Sequence, residues 1–527
     1  MKKLFLFLLL GIISASSYAQ IDERWGERFY DIIEDCEDAQ IIMEDYEGYY
    51  MWYLLNEYVG DGEFELKYYM AKIDRDLGVP KIYRMDFGHP SFKIEHTWQS
   101  GELIGFILSR VIEDKPEPKR GSRRQVGPEV STGNANLYVQ FFHTRDLRLV
   151  GERPNRFKNY SYFSIEGQKP YMFTFSENMN KLGFAFFVND ENGRAINMEV
   201  YDERMRLLWE KTHRLNIDND AYIIEDIAVS NDGERALVGI KSFSTAKKKN
   251  YENDKLHAIW LTQYTERTHE ENISQAWPTH FKCAFNMEED YLLAGYYSNT
   301  SDKPMLAAGS FSFLYDNRRG YLKNSSTKEF LQYEREEDIA KELASPSDMV
   351  AVVDELIPMI GGNCVMVGEE IFESKIIPPK RRGEKPTGEE ANFFRDILVT
   401  NIDKQGEITV NSYIPKRQKT YKEDDSFNSY SIIRDRYGAY IMFNDHQDNY
   451  DRNQFIPKRN YNSDKLRTQI NFVQVFNDGS WLWHEVYNSR LNKMPFFKTL
   501  FLDREKNIIF LSHYRDHSVV GSFETRY

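Results

Sequence analysis

Cysteine is nearly absent. Cys36, Cys283 and Cys364 are the only three in 527 residues, too few and too scattered for a disulfide framework or a four-ligand zinc site. One bridge remains open, but three buried small hydrophobes are the simpler reading. Beyond the first twenty residues no apolar run approaches the roughly 20 residues that a membrane-spanning helix needs, so no transmembrane segment is expected. Positive charge is also short. Lys and Arg number 68 against 82 Asp and Glu, for a net charge of −14, which argues against nucleic acid as the main partner. G-x-S-x-G, a Walker loop, H-E-x-x-H and S-x-x-K with its partners are all missing, which removes the familiar nucleophile, phosphate-loop and zinc-protease chemistries. No cofactor is implied.

What is present begins with the leader. Lys2 and Lys3 precede the apolar stretch Leu4–Ile13 and then Ser17-Tyr18-Ala19, the order of a cleavable secretory signal peptide. Residues 1–19 are therefore expected to be removed, leaving Gln20 first and the net charge at −16. No cysteine lies near the cut, so a lipid anchor is not expected. The mature chain should be exported, periplasmic or secreted, and monomeric.

Ala221–Gly239 (AYIIEDIAVSNDGERALVG) sets the pattern for the rest. It reads as an apolar strand, a tight turn through Asn231-Asp232-Gly233, and a second apolar strand. β-Branched residues suit a buried pleated surface, and Asp-Gly supplies the positive φ of a two-residue hairpin. Degenerate copies open near residues 41, 92, 171, 222, 280, 350, 430 and 496, at a period of roughly 65 residues. Each copy leads a group of up to four strand candidates, and the last group is one strand short. Aromatics at 15% fit broad sheet faces. These features predict an all-β chain over 20–527: a single β-propeller of eight four-stranded antiparallel blades, with seven the rival count. A pair of β-sandwiches would not repeat one hairpin eight times. The missing strand predicts ring closure by the N-terminal segment, around Arg28–Ile33. A short acidic helix is expected as an insertion over 328–343 (KEFLQYEREEDIAKEL).

Residues 394–418 (FRDILVTNIDKQGEITVNSYIPKRQ) and 430–445 (YSIIRDRYGAYIMFND) resemble a family of exported bacterial proteins with propeller-type repeats. There, a strand ending in an Asp-Lys-x-Gly turn leads to a strand ending in Ile-Pro-Lys. Asp403-Lys404-Gln405-Gly406 and Ile414-Pro415-Lys416 match that pattern, while Val410 replaces the aromatic that usually follows the turn. The resemblance is clearest over the last third of the chain. It implies the propeller fold and export, and carries over no site residues.

The first strand of a propeller blade lines the central channel, and several opening strands carry acids: Glu44, Glu95, Glu177, Glu225, Asp226, Asp354 and Glu355. Glu95, Glu177, Asp226 and Asp354 are the candidate catalytic carboxylates, since two acids flanking a sugar would make a glycosidase pair. Acids beside a water-filled channel also need no function. Neighbours such as Glu225 and Asp226 should point to opposite faces of a strand, leaving one of each pair for the channel. Asp445, Asp448 and Asp451 in NDHQDNYDRN are candidate calcium ligands, although the alternating Asp pattern of an EF-hand is missing. A solvated loop is the simpler reading. His513 and His517 have metal-like spacing, but at a strand-to-turn edge i and i+4 do not converge as they do on a helix.

Long connections are expected near 112–134, 241–255, 373–392 and 445–468, all on one face of the disc. Together they carry more Lys and Arg than Asp and Glu, against the trend of the chain. Loops on a rigid scaffold are where binding residues usually lie. Lys247, Lys248, Lys249, Lys380, Arg381 and Arg382 are therefore the candidate binding residues for an acidic polymer or protein. The expected function is a non-catalytic exported scaffold that binds an envelope protein or acidic polymer. The alternative is a carbohydrate-active hydrolase or lyase with carboxylates at the channel mouth.

Overall fold

Strand after strand buries side chains on both faces. Along Arg235–Phe243, Ala236, Val238 and Ile240 enter one apolar cluster while Leu237 enters another. A sheet apolar on both faces must be sandwiched between two others, and one repeated in series does so by closing into a ring.

The computed structural model describes residues 22–30, 36–60, 63–88, 92–113, 130–165, 171–190, 193–216, 221–243, 255–273, 276–299, 307–330, 348–374, 391–421, 429–435, 438–451, 454–455, 468–488, 493–514 and 517–524. Eight antiparallel sheets form an eight-bladed β-propeller, each with four strands in series, and blade 6 has a fifth, Gln418–Tyr421, paired with Ala391–Ile402. The first strands of blades 1 to 8 are Cys36–Glu44, Lys93–Ser100, Tyr171–Phe175, Ala221–Val229, Trp277–Phe285, Asp348–Pro358, Ser431–Asp435 and Lys493–Leu502. First strands of neighbouring blades contact one another at six of the eight joins and surround the channel. Eight apolar clusters fill the eight joins between blades, each drawing from two neighbours. The three cysteines form no disulfide and are buried in these joins among small and apolar side chains.

Blade 8 takes its outer strand from the other end of the chain. Asp22–Tyr30 pairs antiparallel with His517–Glu524, so the closing strand begins before Arg28, and residues 31–33 lie outside the described set. The acidic helix expected over 328–343 also falls mostly outside it. Lys328 and Glu329 instead end the outer strand of blade 5, Leu322–Glu329.

The opening turns also differ from expectation. Between Val229 and Arg235, the Gly233 N–H donates to the Ser230 carbonyl (2.9 Å), and only Gly233 has positive φ, +76°. A two-residue turn of the Asn-Gly type needs two such residues, so this is a longer loop with a single left-handed position. The same geometry recurs where no glycine is present. Met179, Glu289 and Lys506 hold the left-handed position in blades 3, 5 and 8, with N–H donation to Ser176, Asn286 and Asp503.

Candidate channel site

Inner strands that should alternate do not. In blade 2 the ladder skips from Ile94 to His96, in blade 4 from Ile224 to Asp226, in blade 5 from Pro278 to His280, and in blade 6 from Val353 to Glu355. The extra residues are Glu95, Glu225, Thr279 and Asp354. A bulge places two residues opposite one and re-aims their side chains. Of the neighbours Glu225 and Asp226 only Asp226 borders the channel cavity, yet both side chains reach blade 5. Glu225 Oε2 stands 3.5 Å from His280 Nε2, and Asp226 Oδ1 stands 3.9 Å from Lys282 Nζ.

Asp226, Lys282 and Glu355 each stand four residues before the first residue of their blade's turn, Ser230, Asn286 and Met359. Three neighbouring inner strands thus place acid, base and acid side by side, and Arg434 on blade 7 extends the alternation by pairing with Glu355. Arg434 also approaches Glu177 of blade 3 at 3.7 Å. Blades 3 and 7 are opposite in a ring of eight, so this ion pair spans the channel. Beside it is a cavity of about 140 Å³ lined by blades 3 to 7, including Phe175, Glu177, Asp226, Lys282, Glu355 and Arg434. It lies toward the short-turn side of the disc.

These groups are ringed by protein yet wetted. The Lys282, Glu177, Glu355 and Arg434 side chains are about one-third to one-half exposed, whereas Asp226 is 12% exposed. Their titration follows. Asp226, Glu355 and Asp354 together hold the Lys282 ammonium above its usual range despite burial. At Asp226 burial outweighs Lys282 and raises the carboxyl. One Asp226 oxygen also accepts the Cys283 backbone N–H at 2.8 Å, tying blade 4 to blade 5.

Deeper in, the Val353 N–H donates to His280 Nδ1 at 3.1 Å. Neutral His280 therefore carries its proton on Nε2, facing Glu225. Burial pushes His280 down to about 4 and Glu225 up to about 7, with Lys241 opposing the latter.

Of the four sequence-expected acids, the cavity collects Glu177 and Asp226. Asp354 is turned to the Tyr430 hydroxyl, which donates to it, and burial raises its carboxyl. Glu95 does not border the cavity and accepts the Ser109 hydroxyl at 2.5 Å. Lys282, His280 and Arg434 were missed. A scan for acids passes over them, but Lys282 is legible as the residue of blade 5 at the repeat position of Asp226.

Asp445 is fully buried, and its carboxylate accepts the backbone N–H groups of Arg417 (3.2 Å) and His446 (2.6 Å) and the Asn449 amide (2.8 Å). It belongs to the strand Gly438–His446, not to a loop. Asp448 sits in a 3-10 turn, and Asp451 in a two-residue strand. No cluster of three metal-ligating side chains occurs among the described residues. His513 lies on the second strand of blade 8 and His517 opens the third, where it pairs with Tyr514. Lys247, Lys248, Lys249, Lys380, Arg381 and Arg382 lie outside the described residues.

The Ile-Pro-Lys motif ends in a buried ion pair. The Lys416 ammonium donates to Glu369 and, at 3.1 Å, to Gln418. Glu369 also accepts the Ser429 hydroxyl at 2.6 Å. Gln418 passes its amide to the Asn444 carbonyl at 2.6 Å, joining blade 6 to blade 7. Burial pulls the Lys416 ammonium down, with Asp445 and Asp354 opposing.

This is the architecture of a β-propeller whose channel is lined and crossed by paired charges. No protein-family model matches the chain, and no curated protein does. Among solved structures it is similar to a polysaccharide lyase at 7% identity and a TM-score of 0.35, over 84% of this chain and 92% of that one. It is also similar to prolyl oligopeptidase B from Galerina marginata at 9% identity and a TM-score of 0.38, over 91% of this chain and 56% of that one. A Trypanosoma rangeli sialidase matches at 6% identity and a TM-score of 0.26, over 67% of this chain and 54% of that one. These likenesses are too distant to inform activity.

Proposed function

We infer that the protein is a non-catalytic binding scaffold of the bacterial envelope, exported after removal of residues 1–19. The observation that supports this most is the Glu177–Arg434 pair across the channel. A cavity of about 140 Å³ is well below the roughly 300–1,000 Å³ of ordinary ligand pockets. It has no room for two sugar rings around a scissile bond. Each of its acids faces a base, Asp226 facing Lys282 and both Glu177 and Glu355 facing Arg434, so no two carboxylates stand alone on either side of a gap as a glycosidase pair would.

The partner, a protein or an acidic envelope polymer, meets the long connections between second and third strands. Those strands end on the side of the disc opposite the short turns. Membership in the exported propeller-repeat family belongs to the same reading, as does a monomeric state. The test is crosslinking and co-purification from the native envelope, with Lys247, Lys248, Lys249, Lys380, Arg381 and Arg382 changed to Ala together. Capture should weaken, and wild-type capture should fall with added salt. Unchanged, salt-insensitive capture would reject the basic face as the binding surface.

A second reading has its own observation: Glu177, Asp226 and Glu355 converge on one cavity, as a hydrolase or lyase would require. Release of sugar from envelope polysaccharide by the wild type, abolished in Asp226→Asn, would replace the scaffold reading.

A further inference from the structure

The two pairs that border the channel cavity are loose. Lys282 Nζ and Asp226 Oδ1 are 3.9 Å apart, and Arg434 Nη1 and Glu177 Oε2 are 3.7 Å apart. Both exceed the direct hydrogen-bond range of about 2.7–3.2 Å. Lys282 thus holds its three N–H donors on the cavity wall with Asp226 as its only close ion-pair partner among the described residues. Glu177 likewise has Arg434 alone. Arg434 is anchored from the other side by Glu355, which leaves Nη1 directed at the gap.

We propose that this cavity is a binding site for a small zwitterion, a molecule carrying an ammonium and a carboxylate a few ångströms apart. A ligand carboxylate placed in the gap accepts from Lys282 and Arg434. Its ammonium donates to Asp226 and Glu177. Two long contacts then become four direct, charge-assisted hydrogen bonds, each stronger than its neutral counterpart.

Charge selects the class. The cavity wall carries Glu177, Asp226 and Glu355 against Lys282 and Arg434. A lone anion meets the surplus carboxylate, and a lone cation leaves the two bases unserved. A neutral molecule with both charges matches the alternating wall. Size agrees, because about 140 Å³ is close to the engineered cavity that holds benzene. That volume suits about six non-hydrogen atoms, the scale of a small amino acid. The site is on the short-turn side and does not depend on the scaffold reading, which concerns the opposite face.

Titration calorimetry on the full-length mature protein, with glycine and β-alanine as zwitterions and acetate and methylammonium as single-charge controls, decides the matter. At matched ionic strength at least one zwitterion should bind saturably and neither control should. Lys282→Met and Glu177→Gln should each weaken that binding about tenfold or more, as loss of a charged hydrogen bond implies. Circular dichroism identifies any variant that fails to fold, and the wild-type ligand series stands without the variants. No saturable zwitterion binding, binding of acetate or methylammonium as tight as that of the zwitterions, or folded variants that bind like the wild type would each overturn the proposal.

Discussion

Arg434 and Glu177 stand on opposite blades of an eight-membered ring, and their 3.7 Å ion pair crosses the channel. Neither residue is near the other in the chain: Arg434 lies on the first strand of blade 7 and Glu177 in the turn that follows the first strand of blade 3, Tyr171–Phe175. The pair exists because ring closure brings blade 3 and blade 7 face to face. Both residues also line the channel cavity.

The Lys416–Glu369 pair lies between blades 6 and 7 with 0% and 1% of its side chains exposed. Breaking such a pair strands a charge in the interior and costs about 3–5 kcal/mol. Lys416→Met or Glu369→Gln should lower stability by that amount in urea melts. Lys416→Met with Glu369→Gln should cost less than the sum of the two singles. Strict additivity would show that the pair is not coupled.

Glu225 and His280 oppose each other in pH dependence. Glu225 is raised from 4.5 to about 7, so the folded state binds the extra proton, and that contribution fades as pH rises from 4.5 through 7. His280 is lowered from 6.5 to about 4, so its contribution is present above 6.5 and is lost as pH falls toward 4. Glu225→Gln should therefore gain stability relative to wild type as pH rises from 4.5 to 7, by about 3 kcal/mol. A difference that stays flat across that window would mean Glu225 titrates normally.

Gly239 is packed against the inner strand of blade 5. A methyl group there would come within 2.5 Å of a Phe281 ring carbon and 2.8 Å of the Cys283 sulfur. Gly239→Ala should cost about 1–3 kcal/mol by overpacking, and Phe281→Leu in the same chain should recover part of it. A melting temperature equal to wild type would show that the join between blades 4 and 5 has slack.

Arg24 and Ser522 are register partners in the strand pair that closes the ring. Directly opposed residues in antiparallel strands have Cα atoms about 4.5–5.5 Å apart, within disulfide reach. Arg24→Cys with Ser522→Cys should crosslink on oxidation and stabilise the fold by about 2–4 kcal/mol. Failure to crosslink would place the N-terminal strand elsewhere.

Apolar residues on both faces of Tyr222–Val229 and Arg235–Phe243 made the repeat readable, and eight openings gave eight blades. Outer strands were harder to see. Glu266–Glu271 (ERTHEE) and Leu322–Glu329 (LKNSSTKE) border solvent, so they carry no apolar signal and are specified by pairing with the strand before them. The channel acids were partly legible because their chemistry is visible in the chain. Their bulges were not, since an inserted residue shows only when the partner strand's register is known.

The chain alone determined the number of sheets, their order and which segments bury both faces, because local alternation and turn chemistry are properties of short stretches. Only the closed ring decided which charges meet. Asp226 finds Lys282 because two inner strands lie side by side, and Arg434 finds Glu177 because they face each other across the channel. Electrostatic partners are chosen by distance in space, and distances between blades do not exist until the disc has closed.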